Sequence, residues 1–88
     1  MTLEFLNDVI ENKINQNKNL IKFTFYELRV KYNLSEDDCN TAIKLIKQKL
    51  SNYGYKVYRT GEKYNLNSTI STVPINILLI AIKSPTIK

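Results

Sequence analysis

The sequence predicts an α+β domain built around a capped helix that passes without a linker into a β-hairpin, and three features of residues 35–67 carry that expectation. Ser35 ahead of Glu36, Asp37 and Asp38 is a helix start: the hydroxyl can accept from an orphan backbone N–H, and three carboxylates sit at the positive end of the helix dipole. From Glu36 onward, Cys39, Ala42, Ile43, Ile46, Leu50 and Tyr53 recur at three- and four-residue spacing, which puts them on one stripe and leaves Asp37, Thr41, Lys44 and Gln48 in solvent. Gly54 closes the helix. Tyr55-Lys56-Val57-Tyr58 and Lys63-Tyr64-Asn65-Leu66 then read as two alternating strands joined by the basic turn Arg59-Thr60-Gly61-Glu62.

Ahead of that unit, Thr2 can cap a first helix whose apolar stripe is Leu3, Leu6, Val9 or Ile10, and Ile14, with Glu4, Asp8 and Glu11 outside. The polar run Asn15-Gln16-Asn17-Lys18-Asn19 ends it. Leu20-Ile21-Lys22-Phe23 fits a short strand, and Thr24 then caps a second helix over residues 25–32. In that helix Phe25, Leu28 and Tyr32 share a face, and Glu27 and Lys31 form an exposed i,i+4 pair. Asn33-Leu34-Ser35 is a tight join to the capped helix, with Leu34 placed to plug the crevice, so helices two and three have the layout of a helix-turn-helix.

After the hairpin, Asn67-Ser68-Thr69-Ile70-Ser71 reads as a loop, and Thr72 with Pro74 in the first turn opens a last helix. Val73 to Ile82 is apolar nearly all round, more than one face against a small core uses, and ten residues are too few to cross a bilayer as a helix. The expected use is dimerisation through Val73, Ile77, Leu78 and Ile80; the alternative reading of the same residues is a β-strand completing a sheet, since isoleucine is abundant. Residues 1–67 are thus read as one binding domain, and residues 68–88 as an apolar dimerisation segment with a frayed tail, Ser84 to Lys88.

Eighty-eight residues suffice for one core, with a hydrophobic fraction of 43% and little Gly or Pro. The net charge is +5, carried as −3 on residues 1–12, +4 on 13–34, −3 on 35–43 and +7 on 44–88. A basic excess on the late helix, hairpin and C-terminal part is biased toward polyanions, although acids at helix starts and bases later also satisfy helix dipoles on an ordinary solvated surface. With one cysteine and no histidine, no internal disulfide, common zinc site or His-dependent catalytic triad can be assembled. Cys39 lies on the apolar stripe and reads as a core residue. No cofactor, metal or enzyme activity is expected, and a start without a signal-peptide pattern leads to a cytoplasmic expectation with no membrane partner.

The order helix, strand, helix, tight turn, capped helix, hairpin resembles the winged helix-turn-helix superfamily over roughly Leu3 to Asn67, most specifically at the join Tyr53-Gly54-Tyr55. The resemblance implies a three-helix core with a β-hairpin wing, a recognition helix from Glu36 to Tyr53 and a wing tip from Arg59 to Lys63; the C-terminal apolar helix would be an addition. In size and composition the chain also looks like small accessory proteins of Gram-positive plasmids and phages, including relaxosome components of clostridial conjugative plasmids.

Residue chemistry fits such a role. Asn40, Thr41, Lys44, Lys47 and Gln48 project opposite the stripe, where Asn and Gln can pair with adenine edges and Lys can reach guanine or phosphate. On the hairpin, Lys56, Tyr58, Arg59, Thr60 and Lys63 can meet phosphates or enter a groove, and an arginine at a hairpin tip suits a narrow minor groove. The acids at Glu36, Asp37 and Asp38 oppose the usual insertion of a helix N-terminus, so the expected contact is weighted toward mid-helix and wing, on Lys44, Gln48, Arg59 and Lys63. Of the tyrosines, Tyr53, Tyr55 and Tyr64 are expected to pack the helix-to-hairpin junction, leaving Tyr58 for any single-strand stacking. The expectation is a sequence-specific duplex-DNA-binding homodimer, a regulator or accessory factor of plasmid or phage DNA processing (conjugative transfer, replication or transcription control) within a possible larger complex. The competing expectation is a protein-protein interaction module that does not bind DNA.

Overall fold

The computed structural model describes residues 3–66 and 68–83, so the expected Thr2 cap, Asn67 and the Ser84–Lys88 tail lie outside the described residues. Helix α1 (Phe5–Gln16) buries Leu6 and Ile10, with Leu3, Val9 and Ile14 packed at the margin of the core, as its spacing requires. It ends where Asn17 Oδ1 accepts from the backbone N–H groups of Asn19 and Leu20, at 3.0 and 3.2 Å, turning the chain into strand β1 (Leu20–Thr24). A capping box closes the next corner: Thr24 Oγ1 accepts from Glu27 N–H while Glu27 Oε1 accepts from Thr24 N–H, both at 3.1 Å.

Residues 25–31 are helical where the sequence expects a second helix, but Glu27–Lys31 is wound as a π-helical turn, closed by Tyr32 N–H donating to Glu27 O at 2.9 Å. The wider turn undoes the i,i+4 alignment on which a Glu27–Lys31 pair depends. Glu27 instead pairs with Lys13 of α1 at 2.8 Å, and Lys31 lies over the Tyr32 ring. Leu28 is fully buried and Tyr32 half-buried against Phe5, but Phe25 stays 44% exposed. Asn33 takes the left-handed turn position at φ 53°, a conformation an Asn side chain tolerates, and Leu34 plugs the core.

Helix α2 (Glu36–Asn52) opens on the residue its cap dictates, with Ser35 Oγ accepting from Asp38 N–H at 3.1 Å. Its stripe Cys39, Ala42, Ile43, Ile46 and Leu50 is buried, while Tyr53 at the helix end remains 42% exposed. Gly54, at φ 86°, turns the chain directly into strand β2 (Tyr55–Arg59). There is no separate linker.

The second half of the chain corrects the expected architecture. The run read as an apolar C-terminal helix is strand β5 (Ile77–Lys83), the central strand of a three-stranded antiparallel sheet in the order β1-β5-β2. The expected hairpin between Tyr55 and Leu66 does not form: β2 pairs with β5, and strand β3 (Lys63–Leu66) pairs with strand β4 (Thr69–Thr72) as a separate ribbon. Three helical segments form, the middle one as a π turn, but the expected hairpin wing and the extra C-terminal helix are replaced by five strands in two sheets.

The reason is burial. A strand covered on both faces needs side chains that are apolar on both, and Ile-Leu-Leu-Ile-Ala-Ile meets that demand where the polar, four-residue β3 does not. Along β5, Leu79 and Ala81 stand opposite Phe23 and Ile21 of β1 and opposite Arg59 and Val57 of β2, facing the helices; Ile80 stands between Lys22 and Tyr58 on the other face. The register shifts between Phe23 and Thr24, leaving Leu78 without a β1 partner and turned into the same core. Val73, Leu78 and Ile80 are each only 2% exposed, and Ile77 is half-buried. The side chains named for a dimer contact are therefore spent inside the chain, and the division expected after residue 67 falls within the β3–β4 ribbon.

Replacing the fully buried Leu79 by Ala leaves a cavity in the strand on which both other strands pair, and is expected to lower the unfolding free energy by about 2–5 kcal/mol. Ile75→Ala, at a side chain 86% exposed, is expected to change it by less than about 0.5 kcal/mol. Urea unfolding of both variants measures the difference.

Candidate nucleic-acid interface

The stripe that buries α2 leaves two exposed flanks, and the neighbours of each flank differ. On the flank toward α1, Lys49 Nζ reaches Asn7 Oδ1 at 3.2 Å and Glu11 Oε2 at 3.4 Å, and Gln48 lines a shallow depression with Asn7, Leu45 and Tyr53. On the flank toward the sheet, Glu36 and Asn40 line a cleft of about 360 Å³ whose other walls are the π turn, through Phe25 and Arg29, and the end of β2, through Arg59. Its floor is the buried Leu28, Cys39, Ile43 and Leu78. Alternation along β2 explains the placement: Tyr55 and Val57 face the core, so Arg59, two further on, emerges at the edge of that core beside α2.

The residues singled out from sequence therefore divide into groups. Asn40 and Arg59 meet in the cleft, and Lys44 and Lys47 continue the exposed side of α2 by one and two turns beyond Asn40. Arg29, Lys44, Lys47, Arg59 and Lys63 form no ion pair with any described residue. Thr41 is turned back on its own helix, donating to Asp37 O at 3.2 Å, and Gln48 belongs to the α1 side. Lys56 and Tyr58 alternate to the opposite face of β2, where Lys56 Nζ sits 5.7 Å above the Tyr58 ring and Tyr58 packs 6.0 Å from Tyr64. Lys63 is on the ribbon's open face with Asn65, Ile70 and Thr72.

Thr60 and the turn around it are structural. The Thr60 hydroxyl donates to Ile77 O at 2.6 Å, Gly61 N–H to Val73 O at 3.0 Å, and Val73 N–H to Glu62 O at 2.9 Å, so residues 59–62 are the root of the ribbon rather than its tip. Arg59 is consequently held at the base, with its backbone N–H donating to Glu62 Oε1, and does not ride on an extended loop.

Arg29 is the residue that sequence reasoning passes over. The core face and the apparent Glu27–Lys31 pair dominate segment 25–32, and the available signal is compositional: among thirteen basic residues only Arg29 and Arg59 are arginines. Of the three acids that open α2, Glu36 lines the cleft that contains both arginines. No family model, curated protein or solved structure matches the chain.

Beneath the cleft, burial raises the Cys39 thiol pKa; Arg29 opposes that shift, and Asp38 and Glu36 add to it. Burial likewise raises the pKa of Tyr55, whose hydroxyl donates to Lys18 O at 2.7 Å. Both groups are neutral when protonated, so a raised folded-state value contributes stability that is complete below the unfolded-state value and is lost as pH climbs through the folded one. Stability is expected to fall from about pH 9 upward on account of these two groups, and a Cys39→Ala, Tyr55→Phe variant is expected to show a shallower alkaline decline in urea midpoints collected from neutral pH to about pH 11.

Proposed function

We propose that the chain binds double-stranded DNA through the exposed side of α2 and the root and open face of the β3–β4 ribbon. The observation that carries this reading is the meeting of Asn40 from α2 and Arg59 from β2 at one cleft, with Lys44 and Lys47 extending the same helix and none of the cations paired with a described acid. A helix and a two-stranded ribbon are the two elements that a major groove admits. Guanidinium and ammonium groups supply the sequence-independent attraction to phosphate, while Asn40 has the donor and acceptor needed for an adenine edge.

Element order supports this reading, although the expected Tyr55–Leu66 hairpin does not form. The order α1, β1, π turn, α2, β2, ribbon, β5 makes β3–β4 the projecting element, and residues 59–62 its attachment. In this arrangement the contact runs from the cleft shared by Glu36, Asn40 and Arg59 along Lys44 and Lys47 to the ribbon. The role that the resemblance to small plasmid and phage accessory proteins implies is a regulator or accessory factor of plasmid or phage DNA processing. A two-fold complex would need a surface other than Val73, Leu78 and Ile80, which are buried.

One observation favours the alternative of a protein-interaction module: Tyr26, just before the π turn, is 66% exposed and Val30, on it, 60%, next to the half-exposed Phe25. The two readings part on salt dependence. Changing Lys44, Arg59 and Lys63 together to Ala is expected to weaken duplex binding and to reduce the slope of log affinity against log salt by about 3, near one unit per phosphate contact. Fluorescence anisotropy on a random-sequence duplex and on a selected one measures this; a triple variant with unchanged affinity and slope would remove the DNA reading, and loss of a protein partner on Tyr26→Ser, Val30→Ser would favour the alternative.

A further inference from the structure

We propose that the cleft between the π turn, α2 and the end of β2 is a binding site for a mononucleotide-sized phosphate ester. The sequence is rich in lysine, yet its only two arginines, thirty positions apart, are brought to the walls of one cleft by unrelated elements. Guanidinium is the group that grips a phosphate with two parallel hydrogen bonds, and two of them beside the single carboxylate of Glu36 leave the cleft net positive. Neither arginine is paired with a described carboxylate.

The rest of the cleft suits the remainder of a nucleotide better than it suits bare phosphate. Phe25, 44% exposed, offers a ring face at the rim, and Ile43 lies in an otherwise apolar floor. Asn40 can donate to and accept from a base edge, and Glu36 can accept from a sugar hydroxyl or an exocyclic amine, a use for the one carboxylate that lines the cleft. The volume of about 360 Å³ lies at the small end of the range for small-molecule sites, about 300–1,000 Å³.

The same chemistry is available from a free nucleotide or from an unpaired nucleotide at a strand end. The inference does not depend on duplex binding, although Asn40 and Arg59 serve both, so it is tested first without DNA. Isothermal titration of the full chain with each nucleoside monophosphate and with inorganic phosphate is expected to show nucleotide bound at least about tenfold more tightly than phosphate. Arg29→Ala and Arg29→Lys, at an exposed position outside the duplex assignment, are each expected to weaken nucleotide binding about tenfold or more, the lysine because it keeps the charge and loses the bidentate geometry. Phe25→Ala is expected to weaken nucleotide and leave phosphate unchanged. A preference for duplex with one unpaired terminal nucleotide over blunt duplex, abolished by Arg29→Ala, would identify the strand as the source; saturation by free nucleotide would identify the free ligand. The proposal is overturned if neither a free nor a strand-end nucleotide binds at about 1 mM, the weak end of specific recognition, if Arg29→Ala leaves nucleotide binding unchanged, or if a glutamate-rich peptide binds the cleft as tightly as any nucleotide.

Discussion

The arrangement depends on burying a strand that is apolar on both faces. β5 satisfies that demand by lying between β1 and β2, with Leu79 and Ala81 against the helices and Ile80 on the reverse face. Everything near the cleft is registered to this strand. The extra residue at Leu78 supplies part of the cleft floor, and the carbonyls of Ile77 and Leu78 receive the Thr60 hydroxyl, which holds the end of β2 and hence Arg59 beside α2. The direct passage from α2 through Gly54 into β2 then leaves little freedom between helix and strand, so Asn40 and Arg59 behave as parts of one rigid corner.

How much of this was legible in the sequence varies with how local the determining forces are. The start of α2 could be read to the residue and its end to within one, since its cap, stripe and closing glycine all act within a turn or two of the chain. The Thr24 cap and the Leu34 plug were legible for the same reason. The π turn was not, because an i,i+5 bond leaves an apolar spacing at Leu28 and Tyr32 that a helix shares. Residues 73–82 were ambiguous in principle: a short run that is apolar at every position has no period to distinguish strand from helix, and its isoleucines were the sole hint of a strand. The mistaken pairing of β2 has the same origin. Two strands separated by a turn invite a hairpin, and only knowledge that β5 is a strand shows β2 to have a better partner.

Site residues show the same division. Exposure of Lys44, Lys47 and Asn40 was readable from the α2 stripe, whereas the separation of Lys56 and Tyr58 from Arg59, and the conversion of Thr60 into a structural donor, depend on strand pairing across the chain. Arg29 comes to the cleft through the fold of the π turn, which no local pattern announces. The candidate surface is therefore a product of long-range pairing laid over a locally encoded helix.

The strand that holds the sheet together is also the last of the described elements to be synthesised. Until Ile77–Lys83 leaves the ribosome, β1 and β2 have no shared neighbour, and the apolar sides of α1, α2 and Phe23 have nothing to complete their cover. A nascent chain that ends before Ile77 has the residues of its helices and of the β3–β4 ribbon but not those of the three-stranded sheet, which needs contacts spanning some sixty positions from Leu20 to Ile82.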